Sequence, residues 1–152
     1  MAAKFSKRRG LGSRVKKTVK KRVKKIIGAV AAVNPKWKES YNNYMNERRK
    51  DRYVSYMDQP VDDKLVLFES FMGRKYADSP RAIYEYMLNS EEFKDYRFVW
   101  FFKEKFIDEH DFLEQNERTR TVMWRSQEYY QLYAQGKYWF TNSRLPISII
   151  PK

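Results

Sequence analysis

The sequence predicts an α/β fold built on a parallel sheet, and three features predict it. Two short, continuously apolar runs, residues 65–68 and 98–102, are typical of strands that are buried on both faces. Between them, Ser79-Pro80 marks a helix start, with serine as the N-cap and proline at the first helical position. Strand, helix and strand in this order predict a βαβ unit with a right-handed crossover.

Three further elements are predicted after the second strand. Residues 121–124 indicate a brief third strand, although their pattern is ambiguous. Ser126 is placed to cap a helix that runs to Gln135 and ends at Gly136. Residues 137–141, which contain Tyr-Trp-Phe, have the composition of the next strand.

The loops that leave the first and last of these strands carry the candidate binding residues. Ligands of parallel sheets collect outside the carboxyl ends of the strands, near helix N-termini of partial positive charge. If the two strands are neighbours, four cations converge on one crevice that suits a phosphate or carboxylate; they are Arg74, Lys75, Arg81 and Arg144. A solvated loop is the alternative, because no glycine-rich phosphate fingerprint is present.

Three blocks of residues carry a family resemblance. They are Phe68-Glu69-Ser70-Phe71 with Gly73, residues 76–80 and Arg81-Ala82-Ile83-Tyr84-Glu85; then Tyr96-Arg97-Phe98-Val99-Trp100; then residues 134–146, ending Asn142-Ser143-Arg144-Leu145-Pro146. Together, over about residues 62–146, they resemble the opening blocks of the CDP-glycerol glycerophosphotransferases of teichoic acid synthesis. The blocks come in the family's order and agree with the strand, helix and strand assignment.

The resemblance implies an activity and a larger fold. Family members transfer glycerol phosphate from CDP-glycerol to the terminal hydroxyl of a lipid-linked acceptor. Their two Rossmann-like halves face one cleft, a GT-B-type glycosyltransferase-like fold, and the donor nucleotide lies mainly on the second half. A Trp-His-Gly-Thr-Pro segment and that second half are not in this sequence. The resemblance therefore implies an acceptor-side portion that is truncated before the catalytic half and is inactive alone.

What this portion is expected to bind follows from the same resemblance. Arg74, Lys75, Arg81 and Arg144 are the expected contacts of the acceptor phosphate, and CDP-glycerol is expected to bind only with the missing half. No catalytic residue, metal ligand or cofactor is expected within residues 1–152. Glycerol and ribitol donors are not distinguished by these residues.

The positive charge of the chain is concentrated at its N-terminus. Residues 1–38 hold 14 of the 32 basic residues and no acid, which leaves 18 basic against 19 acidic residues in the remainder. A nucleic-acid-binding protein usually spreads its basic residues over the folded surface. The segregation therefore favours an electrostatic anchor at a membrane and argues against a nucleic-acid partner.

A basic amphipathic helix is predicted in this arm. Apolar residues recur every three or four positions from residue 15 to residue 33, and Asn34-Pro35 ends the pattern. Repulsion between like charges four positions apart opposes the helix in water, so an anionic surface is needed to hold it folded. The expected membrane contacts are Val15, Lys16, Lys17, Val19, Lys20, Lys21, Arg22, Val23, Lys24, Lys25, Ile26, Ile27, Val30 and Trp37.

Other interpretations of the arm remain open. Nucleic acid would engage the cations but not the apolar face, and docking on the chain's own domain would engage the apolar face but not the cations; a membrane engages both. A cleaved secretory signal fits poorly, because the basic region is too long and the apolar stretch, residues 26–35, is too weak. That stretch is also about half of the ~20 residues that a spanning helix needs.

The second predicted helix, from about Trp37 to Met57, is rich in aromatic and basic residues. Its aromatic face suits either the headgroup level of a membrane or packing on the folded domain. We therefore divide the chain into a membrane-surface arm (1–34), a connecting helix (35–60) and an α/β domain (61–152). His110, the only histidine, lies among acids and is expected to be a solvated loop residue. Cysteine is absent, which excludes disulfides and thiolate metal sites.

The sequence therefore predicts the amino-terminal part of a CDP-glycerol or CDP-ribitol glycerophosphotransferase, peripheral at the cytoplasmic face of the cell membrane. Its expected partners are an anionic membrane surface and a lipid-linked polyol-phosphate acceptor. Two other classes remain open. One is a stand-alone membrane-attached α/β binding module without catalysis, and the other is a basic nucleic-acid-binding protein whose aromatic residues stack on bases.

Overall fold

The computed structural model describes residues 22, 23, 26, 29 and 34–150. The chain divides into two compact units, Met1–Met45 and Asn46–Lys152. In the first unit Arg22, Val23, Ile26 and Ala29 are helical and exposed. The other residues of the predicted arm up to residue 33 lie outside the described residues, so its amphipathic helix stays a prediction. Among the described residues, no helix combines the length and apolar character needed to cross a membrane.

The described helices and strands follow the predicted order. They are α1 (Pro35–Val54), β1 (Asp62–Glu69), α2 (Asp78–Asn89), β2 (Arg97–Phe102), β3 (Thr119–Met123), α3 (Gln127–Gln135) and β4 (Gly136–Thr141), with 3₁₀ helices at Glu91–Phe93 and Asp108–Gln115.

The four strands form one parallel sheet in the order β3-β2-β1-β4. Val66 of β1 pairs with Phe98 of β2 on one side and with Tyr138 of β4 on the other. The chain thus leaves β1 toward β2 and β3 and later returns to the opposite side of β1. The predicted α/β class is confirmed, and β1 and β4 are neighbours at the point where the strand order reverses.

Both faces of the sheet are covered, as the apolar runs predicted. Leu65 and Leu67 pack with Tyr133 of α3 in one cluster, whereas Val66 and Phe68 pack with Tyr84 of α2 in the other. Successive residues of a strand point to opposite faces, so a strand buried on both sides needs an unbroken apolar run. The apolar burial on both faces fixes the strands and therefore the positions of the loops at their ends.

Two helix starts were predicted from serine caps, and the structure confirms one of the two caps. Ser126 is confirmed, because its hydroxyl accepts the Tyr129 backbone N–H at 3.1 Å. The Ser79 cap is wrong: α2 begins at Asp78, after Ala77, and no side chain caps it. Asp78 has a φ of +64°, and its carboxylate accepts a hydrogen bond from Asn142, which is distant in sequence. A tertiary contact therefore sets this helix start.

His110 is not the solvated loop residue that its acidic neighbours predicted. Its ring is half-buried and stacks on Phe102 with a centroid separation of 4.1 Å, and Nδ1 lies 2.7 Å from the Phe106 carbonyl oxygen. The apolar side of the 3₁₀ helix around it covers the end of β2, a contact that the local charge pattern conceals.

Candidate functional site

The loops that follow β1 and β4 lie side by side at the carboxyl edge of the sheet. Asn142, directly after β4, accepts the Phe71 backbone N–H at 2.8 Å and donates from its amide nitrogen to Asp78 at 2.7 Å. One side chain therefore joins the β4 loop to both ends of the loop between β1 and α2. In open parallel sheets this position, where the strand order reverses, is the usual site of ligand binding.

The loop after β1 has an unusual backbone. Phe71, Met72 and Gly73 have successive positive φ angles of +48°, +56° and +71°. For residues other than glycine, this region costs on the order of 1–2 kcal/mol each. At Gly73 a side chain would also be crowded, because a Cβ would lie 3.2 Å from the Phe101 carbonyl oxygen. The Gly73 carbonyl oxygen in turn accepts the Lys103 backbone N–H at 2.7 Å, which fastens the loop to the end of β2.

A buried carboxylate lies beneath this loop, at the end of β1. Glu69 is only 1% exposed and accepts hydrogen bonds from the hydroxyls of Tyr129 at 3.0 Å and Tyr133 at 3.2 Å. Burial raises its pKa, and the two tyrosines, the nearby Trp124 indole and the Arg125 charge offset part of that increase. Glu69 therefore connects β1 to α3 beneath the loop that follows β1.

Lys103 and Arg125 interact with this carboxylate without forming an ion pair to it, and the charge of Arg74 acts on Lys103. Lys103 Nζ lies 4.8 Å from the centroid of the Trp124 ring, and Arg125 Cζ lies 4.0 Å from the same centroid. Burial lowers the pKa of Lys103, and the charges of Arg74 and Arg125 lower it further. Arg74, Lys103 and Arg125, which we call the cationic edge, thus form an excess of positive charge.

The four cations predicted from the sequence have different surroundings in the structure. Arg74 belongs to the cationic edge, and Lys75 Nζ lies over the Phe71 ring at 5.7 Å. Arg81 is already neutralised, because its Nε donates to Glu85 at 2.7 Å and its guanidinium lies over the Tyr76 ring. Arg144 is exposed just after β4 and has no ion-pair partner within the described residues. Arg74 and Lys75 therefore lie on the loop after β1, and Asn142 joins this loop to the loop that bears Arg144. Arg81 is instead paired with Glu85 on α2.

Sequence reasoning missed Lys103 and Arg125. Lys103 immediately follows β2, and Arg125 lies two residues beyond the end of β3. The carboxyl ends of parallel strands share one edge of a sheet, so the positions of Lys103 and Arg125 just after strands could have identified them as candidate binding residues. Arg125 adopts a φ of +58°, which the sequence did not indicate.

The arrangement can hold an anion, and the described residues offer little for catalysis. Loop backbone, cations and a nearby helix N-terminus together suit a phosphate group. Within the described residues, no group of three His, Asp or Glu side chains is placed to bind a metal ion. Asp78 is an exposed carboxylate at this edge, and its hydrogen bonds with Asn142 and Ser79 lower its pKa, which makes it a weak base.

The predicted membrane contacts are described at only a few positions. Arg22, Val23 and Ile26 are exposed, and Trp37 on α1 is 63% exposed. Trp37 lines a groove with Lys36, Ser40, Tyr41 and Tyr44. The remaining predicted contacts lie outside the described residues.

Comparison with known proteins places this geometry in a family. Residues 51–152 match the family described as CDP-glycerol:poly(glycerophosphate) glycerophosphotransferase. The teichoic acid poly(glycerol phosphate) polymerase of Staphylococcus epidermidis is 36% identical over 110 residues, which are 69% of this chain and 14% of that protein. The polymerase of the same name from Bacillus subtilis is 28% identical over 139 residues, which are 91% of this chain and 17% of that protein.

Solved structures agree with the sequence comparison. The wall teichoic acid polymerase TagF superposes with a TM-score of 0.52 at 31% identity, over 74% of this chain and 26% of that chain. A variant of TagF soaked with CDPG gives a TM-score of 0.54 at 30% identity, over 74% and 28% of the two chains. The chain thus spans only a minor part of the length of these relatives. It belongs to the CDP-glycerol:poly(glycerophosphate) glycerophosphotransferase family.

Proposed function

We propose that this chain is the acceptor-side domain of a membrane-associated glycerophosphotransferase, and that its carboxyl edge holds a phosphate of a lipid-linked polyol-phosphate acceptor. The observation that carries the proposal is the Asn142 bridge, which holds the loop bearing Arg74 and Lys75 beside the loop bearing Arg144. The relatives are named as polymerases of glycerol phosphate or transferases of it. A polymer of phosphodiesters is a ligand whose charge matches these loops.

The distribution of ion pairs supports this location. At the amino edge of the sheet three cations are paired with acids: Lys64 with Asp95, Arg97 with Asp62, and Lys137 with Asp63. A fourth, Arg118, donates to backbone carbonyl oxygens. At the carboxyl edge, Arg74, Lys103 and Arg144 have no such partner within the described residues. An anion from outside the protein is therefore accommodated at one edge and not at the other.

Attachment to the cytoplasmic face of the cell membrane is the second part of the proposal. The acid-free basic arm supplies about 1 kcal/mol per cation near anionic headgroups, and its valine and isoleucine face adds apolar burial. The exposed Trp37 and the groove beside it suit the headgroup level. Such attachment would keep the chain at the membrane that carries a lipid-linked substrate.

Binding of a short poly(glycerol phosphate) oligomer to the full chain tests the acceptor site. Arg74→Gln and Arg144→Gln should each weaken binding about tenfold to a hundredfold, because each removes a charge-assisted contact of about 1.5–3 kcal/mol. Arg81→Gln should have a smaller effect, since Glu85 already engages that guanidinium. Calorimetric titration gives the dissociation constants.

Arg97→Gln is the matched control, because it removes the same charge from the amino edge of the sheet. If it weakens oligomer binding as much as the other two variants, binding reflects net charge alone and the assignment is wrong. RNA of equal charge provides a further comparison: tighter binding of RNA than of the oligomer would favour a nucleic-acid-binding function.

A further inference from the structure

A second group of residues, in the unit Asn46–Lys152, contains buried polar atoms that have no hydrogen-bond partner. Arg125 Nε, the Tyr130 hydroxyl and the Ser148 hydroxyl are all buried and have no hydrogen-bond partner. Tyr130 is 0% exposed and Ser148 is 2% exposed. Buried polar groups in folded proteins are nearly always satisfied, so an orphaned group needs an explanation. The hydroxyls of Tyr130 and Ser148 are close enough to interact with each other, although they do not have the geometry of a hydrogen bond, and the charge of Arg125 acts on Tyr130.

Two further arginines complete the group. Arg52 Cζ lies 5.7 Å from the centroid of the Tyr130 ring, and the charges of Arg49 and Arg125 also act on the Tyr130 hydroxyl. Burial lowers the pKa of Arg125, and the Arg49 charge lowers it further. None of the three arginines has an acidic ion-pair partner within residues 34–150. The Glu69 carboxylate offsets part of their mutual repulsion at Arg125, but no carboxylate of the described residues is paired directly with any of the three.

The group is held by ordered packing. The Tyr53 hydroxyl of α1 donates to the Ile150 carbonyl oxygen at 2.6 Å, and Ile149 is buried in the same cluster as Tyr53 and Tyr130. Arg49 Nη1 donates to Asn46 at 2.9 Å, which limits the freedom of that guanidinium. Three segments distant in sequence thus converge: the end of α1, the start of α3 and residues 145–150.

We propose that Arg49, Arg52, Arg125, Tyr130 and Ser148, which we call the arginine–hydroxyl cluster, form a second phosphate-binding site of this chain. Guanidinium N–H groups and hydroxyls are all donors, and a phosphate offers more acceptor oxygens than a carboxylate. A bound phosphate satisfies the three orphaned atoms and neutralises the arginines together. Arg125 also belongs to the cationic edge, but the two sites can be tested separately, because Arg74, Lys75 and Arg144 take no part in the arginine–hydroxyl cluster.

The phosphate has two possible sources, a soluble phosphate ester or the headgroup of an anionic phospholipid. Thermal melting of the full chain is followed with inorganic phosphate, with sn-glycerol 3-phosphate and with monomeric short-chain phosphatidylglycerol. We expect all three to raise the melting temperature. Binding of the short-chain lipid at least tenfold more tightly than glycerol 3-phosphate assigns the site to a headgroup, and equal or weaker binding assigns it to a soluble ester.

Tyr130→Phe gives the sharpest test, because its expected effect changes sign. Without phosphate the variant should melt at the same or a higher temperature than the wild type, since it removes an orphaned buried hydroxyl. At saturating phosphate it should melt at a lower temperature than the wild type, since it lacks one contact to the ligand. The same difference in melting temperature under both conditions would overturn the proposal.

Arg125→Asn removes the central guanidinium while keeping a residue that tolerates a positive φ. Calorimetric titration should show inorganic phosphate binding weakened about tenfold to a hundredfold. Arg120→Gln is the matched control, because Arg120 is exposed on β3 and paired with Glu128. Equal affinities in wild type and Arg125→Asn, or an equal loss in Arg120→Gln, would overturn the proposal, and both measurements remain interpretable if the variants melt somewhat earlier.

Discussion

At the scale of single residues, Glu69 connects the fold to the candidate site. It is the last residue of β1, and its carboxylate is almost fully buried against Tyr129 and Tyr133. A buried carboxylate normally weakens a protein unless donors surround it. Here the donors belong to α3, so the side chain that ends β1 also positions the helix behind the cationic edge.

We predict that Glu69→Gln changes how stability depends on pH. Burial raises the folded-state pKa of Glu69 above its ordinary value of 4.5. A carboxyl with a raised pKa stabilises the fold fully only below its unfolded-state pKa, and this contribution is lost as the pH rises through the folded-state pKa. The neutral glutamine does not titrate, so the variant should gain stability relative to the wild type as the pH rises above 4.5.

Urea unfolding of both proteins between pH 4 and pH 8 measures the difference. Every other titrating group is common to the two proteins and cancels in the comparison. Two stability curves that stay parallel over this range would show that Glu69 has the same pKa in the folded and unfolded states.

At the scale of elements, the two serine caps show what a local signal can and cannot predict. Both serines precede a plausible helix in sequence, but only Ser126 accepts a hydrogen bond from its own helix. We predict that Ser126→Ala lowers the free energy of unfolding by about 1 kcal/mol, the usual value of an N-cap. The matched variant Ser79→Ala should change it by much less, because α2 starts at Asp78 without a side-chain cap.

Chemical denaturation of the two variants gives this comparison directly. A loss in Ser79→Ala as large as that in Ser126→Ala would mean that Ser79 does stabilise the start of α2. In that case the role assigned to the contact between Asp78 and Asn142 would be wrong.

The elements were largely predictable, because β1, β2, β4 and α3 each carry their own signal, whereas the pattern of β3 is ambiguous. An unbroken apolar run identified β1 and β2, and the cap at Ser126 identified α3. The site was only partly predictable. Arg74 and Arg144 follow strands and could be found, but the Asn142 bridge depends on the register of β1 with β4. The cluster of Arg49, Tyr130 and Ser148 joins three distant segments, and no local pattern encodes such a contact.

For the basic arm, the sequence predicts a structure that depends on the surroundings. We predict that a peptide of residues 14–33 is mostly coil in buffer and becomes helical with phosphatidylglycerol vesicles, because the anionic surface relieves repulsion among its cations. Circular dichroism measures the change. An unchanged coil spectrum with vesicles would refute the prediction, and helicity that persists in high salt would show that apolar burial outweighs charge.

At the scale of the whole molecule, charge is sorted between the two edges of one sheet. Ion pairs with Asp62, Asp63 and Asp95 neutralise the amino edge, whereas the carboxyl edge concentrates cations on loops. The paired residues of the amino edge are mostly among the first residues of the strands, whereas the cations of the carboxyl edge follow the strands on loops. The domain therefore presents positive charge at one edge of the sheet, as the proposed binding of an acceptor phosphate requires.

The final prediction is that the pure chain, residues 1–152, transfers no glycerol phosphate from CDP-glycerol to a lipid-linked acceptor. Phosphoryl transfer to a hydroxyl needs a base near the attacking oxygen in addition to cations at the phosphate. His110 is stacked on Phe102, Glu69 is enclosed by tyrosines, and the pKa of Asp78 is lowered by its hydrogen bonds. None of these groups is an effective base at the cationic loops.

A radiolabelled CDP-glycerol assay with a synthetic lipid-linked acceptor measures this, and the polymerase of Staphylococcus epidermidis serves as the positive control. We expect label transfer by that control and none by the chain alone. Because Asp78 is the exposed carboxylate beside Asn142, the variant Asp78→Asn decides how any observed turnover is interpreted. Turnover by the wild-type chain that disappears in Asp78→Asn would make Asp78 the base, and the domain would then be catalytic and not only a holder of the acceptor.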